Sequence, residues 1–152
     1  DPRDLLKTLN PKYQKIQETF SKLDKTFSEN SEPIILNENA EQISLKEIHK
    51  IESVDSKPIS LIAVTRHQYD ISKFSNYENY IKNTLKLSRI YFGLWSDGKK
   101  TEYDVLYAIP TDDYEEVLNH LNAHDQMNEK VAQSMALVID SNGKYKVIRN
   151  TT

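Results

Sequence analysis

Between residues 59 and 140 the apolar pattern changes period in a set order, and that order limits the folds open to the chain more than any other feature. The β-branched run 59–65 has the composition of a central strand and ends in the polar cluster Arg66, His67 and Gln68. Ser75 and Glu78 stand at capping-box spacing, which predicts a helix over about 76–87 with the stripe Tyr77, Tyr80, Ile81, Thr84 and Leu85. Two strands, 90–95 and 103–109, flank the turn 96–100, where Asp97 and Gly98 supply positive φ angles. Pro110, Thr111, Asp112 and Asp113 start a helix to about 124, with acidic side chains against the positive end of its dipole. A strand over 135–140 then turns at Asn142 and Gly143 into a short last strand, 145–148.

The resulting order, β-α-β-β-α-β, resembles the split βαβ or ferredoxin-like plait, an α+β fold with an antiparallel sheet and both helices on one face. The resemblance covers residues 59–140 and is topological, so it implies a fold and leaves function open. The expected domain is a plait over 58–152 with an added C-terminal hairpin strand. Residues 1–57 then form a helical extension that packs on the plait or on a partner.

Within that extension, Leu6, Leu9, Tyr13, Ile16, Phe20, Leu23 and Phe27 follow a 3-4 spacing that places them on one stripe of a helix. Asn10 as N-cap and Pro11 at the first helical position start the main helix, expected over 11–28. A polar stretch, 28–41, surrounds the apolar run 33–36, which reads as an edge strand in a linker. Ser44 and Glu47 form a second capping box, with Ile43 and Ile48 at the staple positions, so a two-turn helix is expected over 45–52. It ends before Pro58, because the residue preceding proline is driven out of the helical region.

Alternation in the strand 90–95 puts Ile90, Phe92 and Leu94 on one face and Tyr91, Gly93 and Trp95 on the other. With two helices on the first face, the second is expected to be open, and the amphipathic N-terminal helix is the natural cover for it, in its own chain or a neighbour's. The candidate interaction residues are therefore Leu9, Tyr13, Ile16, Phe20, Leu23, Phe27, Tyr91 and Trp95, and the expected partner is a second copy of the chain or another protein.

Composition narrows the chemistry. There is no cysteine, which removes thiolate nucleophiles, disulfides and Cys-ligated metals. The three glycines, at 93, 98 and 143, are too scattered for a phosphate-binding loop. The net charge is −3 and is spread along the chain, with 9 basic against 11 acidic residues over 1–57, so a phosphate-backbone partner is not expected. No run approaches the roughly 18 apolar residues of a membrane span. The cytoplasm is the default compartment, although a targeting segment could precede Asp1.

Two clusters could carry chemistry. Glu116, His120 and His124 repeat at i, i+4, i+8 and could present a carboxylate and two imidazoles to a metal; the plainer reading is a solvated helix flank. Arg66 and His67 leave the end of the first plait strand, where they could bind an anionic ligand or move a proton; the plainer reading is a polar connection. No catalytic set is complete, and no cofactor is implied. The expected function is a non-enzymatic association domain, with a ligand-binding or metal-dependent enzyme or sensor as the second reading.

Overall fold

The computed structural model describes residues 11–24, 32–64, 71–96, 101–123 and 132–151. In chain order the elements are α1 (Pro11–Asp24), β1 (Ile34–Leu36), β2 (Gln42–Ile43), α2 (Leu45–Glu52), β3 (Ile59–Ala63), α3 (Ile71–Asn79), β4 (Tyr91–Ser96), β5 (Thr101–Ile109), α4 (Tyr114–Leu121), β6 (Met135–Ile139) and β7 (Tyr145–Arg149). A π-helical turn, Tyr80–Thr84, prolongs α3. The architecture is α+β, with four helices and an antiparallel sheet of seven strands in the order β2-β1-β4-β5-β3-β6-β7. Contacts divide the chain into two compact units, Asp1–Gln42 with His67–Val105 and Ile43–Arg66 with Leu106–Thr152.

In the first unit β1 pairs antiparallel with β4, setting Ile34 opposite Leu94 and Leu36 opposite Phe92. The short apolar run of the linker is therefore a strand of the sheet. Helix α1 lays Tyr13, Ile16 and Phe20 inward, all at most 1% exposed. Tyr13 meets Phe92 edge-on at 6.2 Å between ring centroids, and Phe20 meets Tyr103 at 5.4 Å. The Tyr103 hydroxyl also donates to Asp24 at the end of α1, 2.7 Å away.

These contacts correct the expected cover. The helix lies on the Phe92 side of β4, opposite the side that carries Tyr91 and Trp95. Nor is that second side open, since Tyr91 is 2% exposed and Ile35, paired with Gly93 on the same side, is 1% exposed. The physical reason is that β4 is apolar on both faces, so alternation distinguishes two faces without saying which one meets water.

Helix α3 begins at Ile71, several residues before the expected start, and Ser75 lies inside it. Glu78 is not used to cap. Its carboxylate accepts hydrogen bonds from Tyr13, Lys12 and Lys82 instead. Together with Glu38, these charges form a closed four-membered ring in which each lysine meets both glutamates, at 2.7 to 3.2 Å. All four groups are roughly one-quarter to one-third exposed.

In the second unit β3 is flanked by β5 and β6, and every residue of β3 is buried. Tyr107 of β5 stacks at a tilt on His120 of α4, which places α4 on the Ser60, Ile62, Tyr107 and Ile109 face. The buried Ser60 hydroxyl donates to the Thr111 carbonyl just before α4. The opposite face, Ile59, Leu61, Leu137 and Ile139, is also dry; α2, whose Leu45 and Ile48 are buried, packs on β6. Ser44 caps α2 by accepting from the Glu47 N–H at 3.1 Å, as the capping box requires. Asp113 caps α4 in the same way through Glu116.

Glycine is required at 143. Its φ is +78°, and an added Cβ would sit 2.9 Å from the Cβ of Lys46 in α2. Asp140 completes the turn by accepting from the N–H groups of Asn142 and Lys144. Among the described residues no helix is long and apolar enough to cross a membrane.

Candidate functional site

The candidate association residues of α1 are held inside their own unit. Tyr13, Ile16 and Phe20 are fully covered, and Leu23 is half-buried. Leu9 and Phe27 lie outside the described residues, as do Arg66, His67 and His124. Trp95 is half-buried, and its buried indole N–H has no hydrogen-bond partner among the described residues.

The candidate metal ligands divide. Glu116 is exposed, whereas His120 turns toward the sheet, with Nδ1 2.8 Å from the Tyr107 hydroxyl. Burial pushes the His120 imidazole below its ordinary pKa, with the Glu116 charge acting weakly in the other direction. The neutral imidazole and the Tyr107 hydroxyl share this hydrogen bond, in which either can be the donor, so His120 closes a buried hydroxyl. Among the described residues no group of three His, Asp or Glu side chains could hold a metal ion.

A different surface stands out at the end of the sheet. β7 is the last strand in the order, and its partner is β6, in a register that sets Met135 opposite Arg149, Leu137 opposite Val147 and Ile139 opposite Tyr145. The ladder is bounded by Asp140 N–H donating to the Lys144 carbonyl and Asn150 N–H donating to the Ser134 carbonyl. Antiparallel strands alternate their bonding direction, so residues 144, 146, 148 and 150 turn their backbone groups toward β6. Tyr145, Val147 and Arg149 turn theirs to the free edge.

The same three residues share one face, beside Met135. Met135, Tyr145 and Val147 are 37% to 39% exposed, and they make up half of the large apolar side chains left exposed among the described residues. The sequence signal was present in the alternating Tyr145, Val147, Arg149 against Lys146, Ile148. It could not be weighed without knowing that this strand is outermost.

The chain matches no protein-family model, no curated protein and no solved structure.

Proposed function

We propose that the chain is a non-enzymatic association domain that works as a homodimer, joined through the β7 edge. The observation that carries this reading is an outermost strand whose free backbone groups and exposed apolar side chains belong to the same residues. The order β4-β5-β3-β6, with β3 antiparallel to both neighbours, also supports a ferredoxin-like plait as the scaffold.

A second copy fits this edge because the strand is self-complementary. In an antiparallel pairing with its two-fold axis at Val147, Val147 faces its own copy and Tyr145 faces Arg149. All three residues with outward backbone groups then exchange hydrogen bonds, and the Arg149 guanidinium meets the Tyr145 ring. On the other face Lys146 lies opposite Ile148. Moving the register so that Tyr145 faces Val147 would set Lys146 against Lys146, which is unfavourable. A five-residue edge is a small interface, so the dimer dissociates on dilution.

Sedimentation equilibrium over a dilution series tests this, with Val147→Pro as the probe. Proline removes an N–H that points away from β6 and is tolerated on an edge strand. The wild type is expected to pass from dimer to monomer on dilution. Because the symmetric pair counts twice, Val147→Pro should weaken the dimer about tenfold to a hundredfold, for about 1–3 kcal/mol, with unchanged circular dichroism. A wild type that is monomeric throughout, or a proline variant that dimerises equally well, refutes the reading.

A further inference from the structure

The turn between β6 and β7 holds a side-chain amide and a backbone nitrogen that can react with each other. Asn142 precedes Gly143, and no other glycine of the chain follows an asparagine. A side chain on the second residue would shield the peptide nitrogen; glycine leaves it open to the asparagine Cγ, one five-membered ring closure away. The hairpin itself imposes that glycine, because φ is +78° and an added Cβ would press on Lys46 at 2.9 Å.

The carbon under attack is equally available. Asn142 is exposed, and among the described residues no hydrogen bond holds its side chain; only its backbone N–H is engaged, donating to Asp140 Oδ1 at 2.8 Å. Asn37 and Asn150 differ. The Asn37 side chain accepts from the N–H groups of Asn39 and Glu41, and the Asn150 amide donates to Asn122 and to the Gln133 carbonyl.

The turn also carries a brake. The Gly143 N–H donates to the Asp140 carbonyl at 3.0 Å, and the Asp140 carboxylate accepts from the N–H groups of Asn142 and Lys144. The Gly143 nitrogen must shed its proton before it attacks, so these bonds must open first.

We infer that Asn142 is a site of spontaneous deamidation, at a rate governed by opening of the Asp140 turn. The deprotonated Gly143 nitrogen bonds to Asn142 Cγ, the Cγ–Nδ2 bond breaks, and ammonia leaves. Water then adds to one carbonyl of the resulting succinimide, and the ring C–N bond at that carbon breaks. Opening at Cγ yields aspartate; opening at the main-chain carbonyl yields isoaspartate, whose backbone is longer by one methylene. One water is consumed and one ammonia released, with no oxidation or reduction. Aspartate sets a second carboxylate beside Asp140, and isoaspartate lengthens a turn that the bonds to Asp140 hold to its present length. The site precedes β7, so the inference stands whether or not that strand pairs with a second copy.

The test incubates the full chain in mildly alkaline buffer, folded and in urea, and follows each asparagine by peptide mapping and by enzymatic methylation of isoaspartate. In the folded chain, Asn142 should gain the mass of an amide-to-acid exchange before any other described asparagine, as a mixture of aspartate and isoaspartate. Unfolding in urea should speed its conversion several-fold, since the brake is then gone. Asp140→Ala should speed it in the folded chain, and Asp140→Asn, which keeps an acceptor, should speed it less. Asn142→Ala, at an exposed and unbonded side chain, should abolish the isoaspartate signal of the turn while leaving the melting temperature near that of the wild type. The inference is overturned if another described asparagine converts first, if Asn142 stays intact while the unfolded chain converts elsewhere, or if neither urea nor Asp140→Ala changes its rate.

Discussion

Helix α1 and strand β7 each carry apolar side chains on one face, and the fold treats them differently. Tyr13, Ile16 and Phe20 are at most 1% exposed, whereas Tyr145 and Val147 are each 39% exposed. The helix is closed off by ring contacts on one side and by the Lys12, Glu38, Glu78 and Lys82 ring on the other. β7 has strong pairing on one edge only. An apolar pattern therefore records that a surface can be covered, and the neighbours decide whether the molecule covers it itself.

The contrast breaks most visibly in the helix. Phe20→Ala removes a fully buried ring from between α1 and Tyr103, and should cost about 3–5 kcal/mol in urea unfolding. At β7 the same kind of truncation should hardly register in monomer stability. Val147→Ala is expected to cost about 0.5–1 kcal/mol there, and a larger loss would mean that the edge is covered after all.

Gly143→Ala tests the base of the β6–β7 hairpin. It imposes a side chain at φ +78° and presses on Lys46, so about 1–3 kcal/mol should be lost in thermal unfolding.

The charge ring sharpens the comparison through pH. Burial works against the charges of Glu38 and Glu78, but their bonds to Lys82 and Lys12 prevail and hold both carboxyls below their ordinary values. Lys12 and Lys82 are likewise raised, their bonds to the glutamates overcoming burial. The carboxylate contribution is thus present above the unfolded value of about 4.3 and lost as pH falls through the lower folded values; the lysine contribution is present below about 10.4 and lost as pH rises through the higher folded values. Glu78→Gln should cost about 1–2 kcal/mol at neutral pH and flatten the acid limb of the stability profile. Ser44→Ala, which touches only the α2 cap, should cost about 1 kcal/mol at every pH.

Local signals were the legible ones. The α2 cap, its two turns and the hairpin at Gly143 are written within a few residues of one another, and each forms as its spacing implies. Half of the charge ring was also readable, since Glu78 and Lys82 stand at i, i+4 on one helix. Its other half was not, because Lys12 and Glu38 arrive from elements far away in the chain. That same long-range competition explains the missed start of α3: a Glu78 engaged by two lysines and a tyrosine cannot also cap. The exposure of β7 escaped for a related reason, since it depends on where the sheet ends.

The π-helical turn after α3 holds one residue more than a regular helical turn. There the Leu85 N–H reaches back to the Tyr80 carbonyl, five residues away, at 3.0 Å. A turn of this kind is wider by one residue than the α-helical turn before it. It leaves Tyr80 and Ile81 buried while Asn83 and Thr84 face solvent, so the extra length is taken up on the wet side. The segment is accordingly the place where this chain should tolerate a one-residue deletion best, with the helix reverting to regular pitch and the entry to β4 taking up the slack.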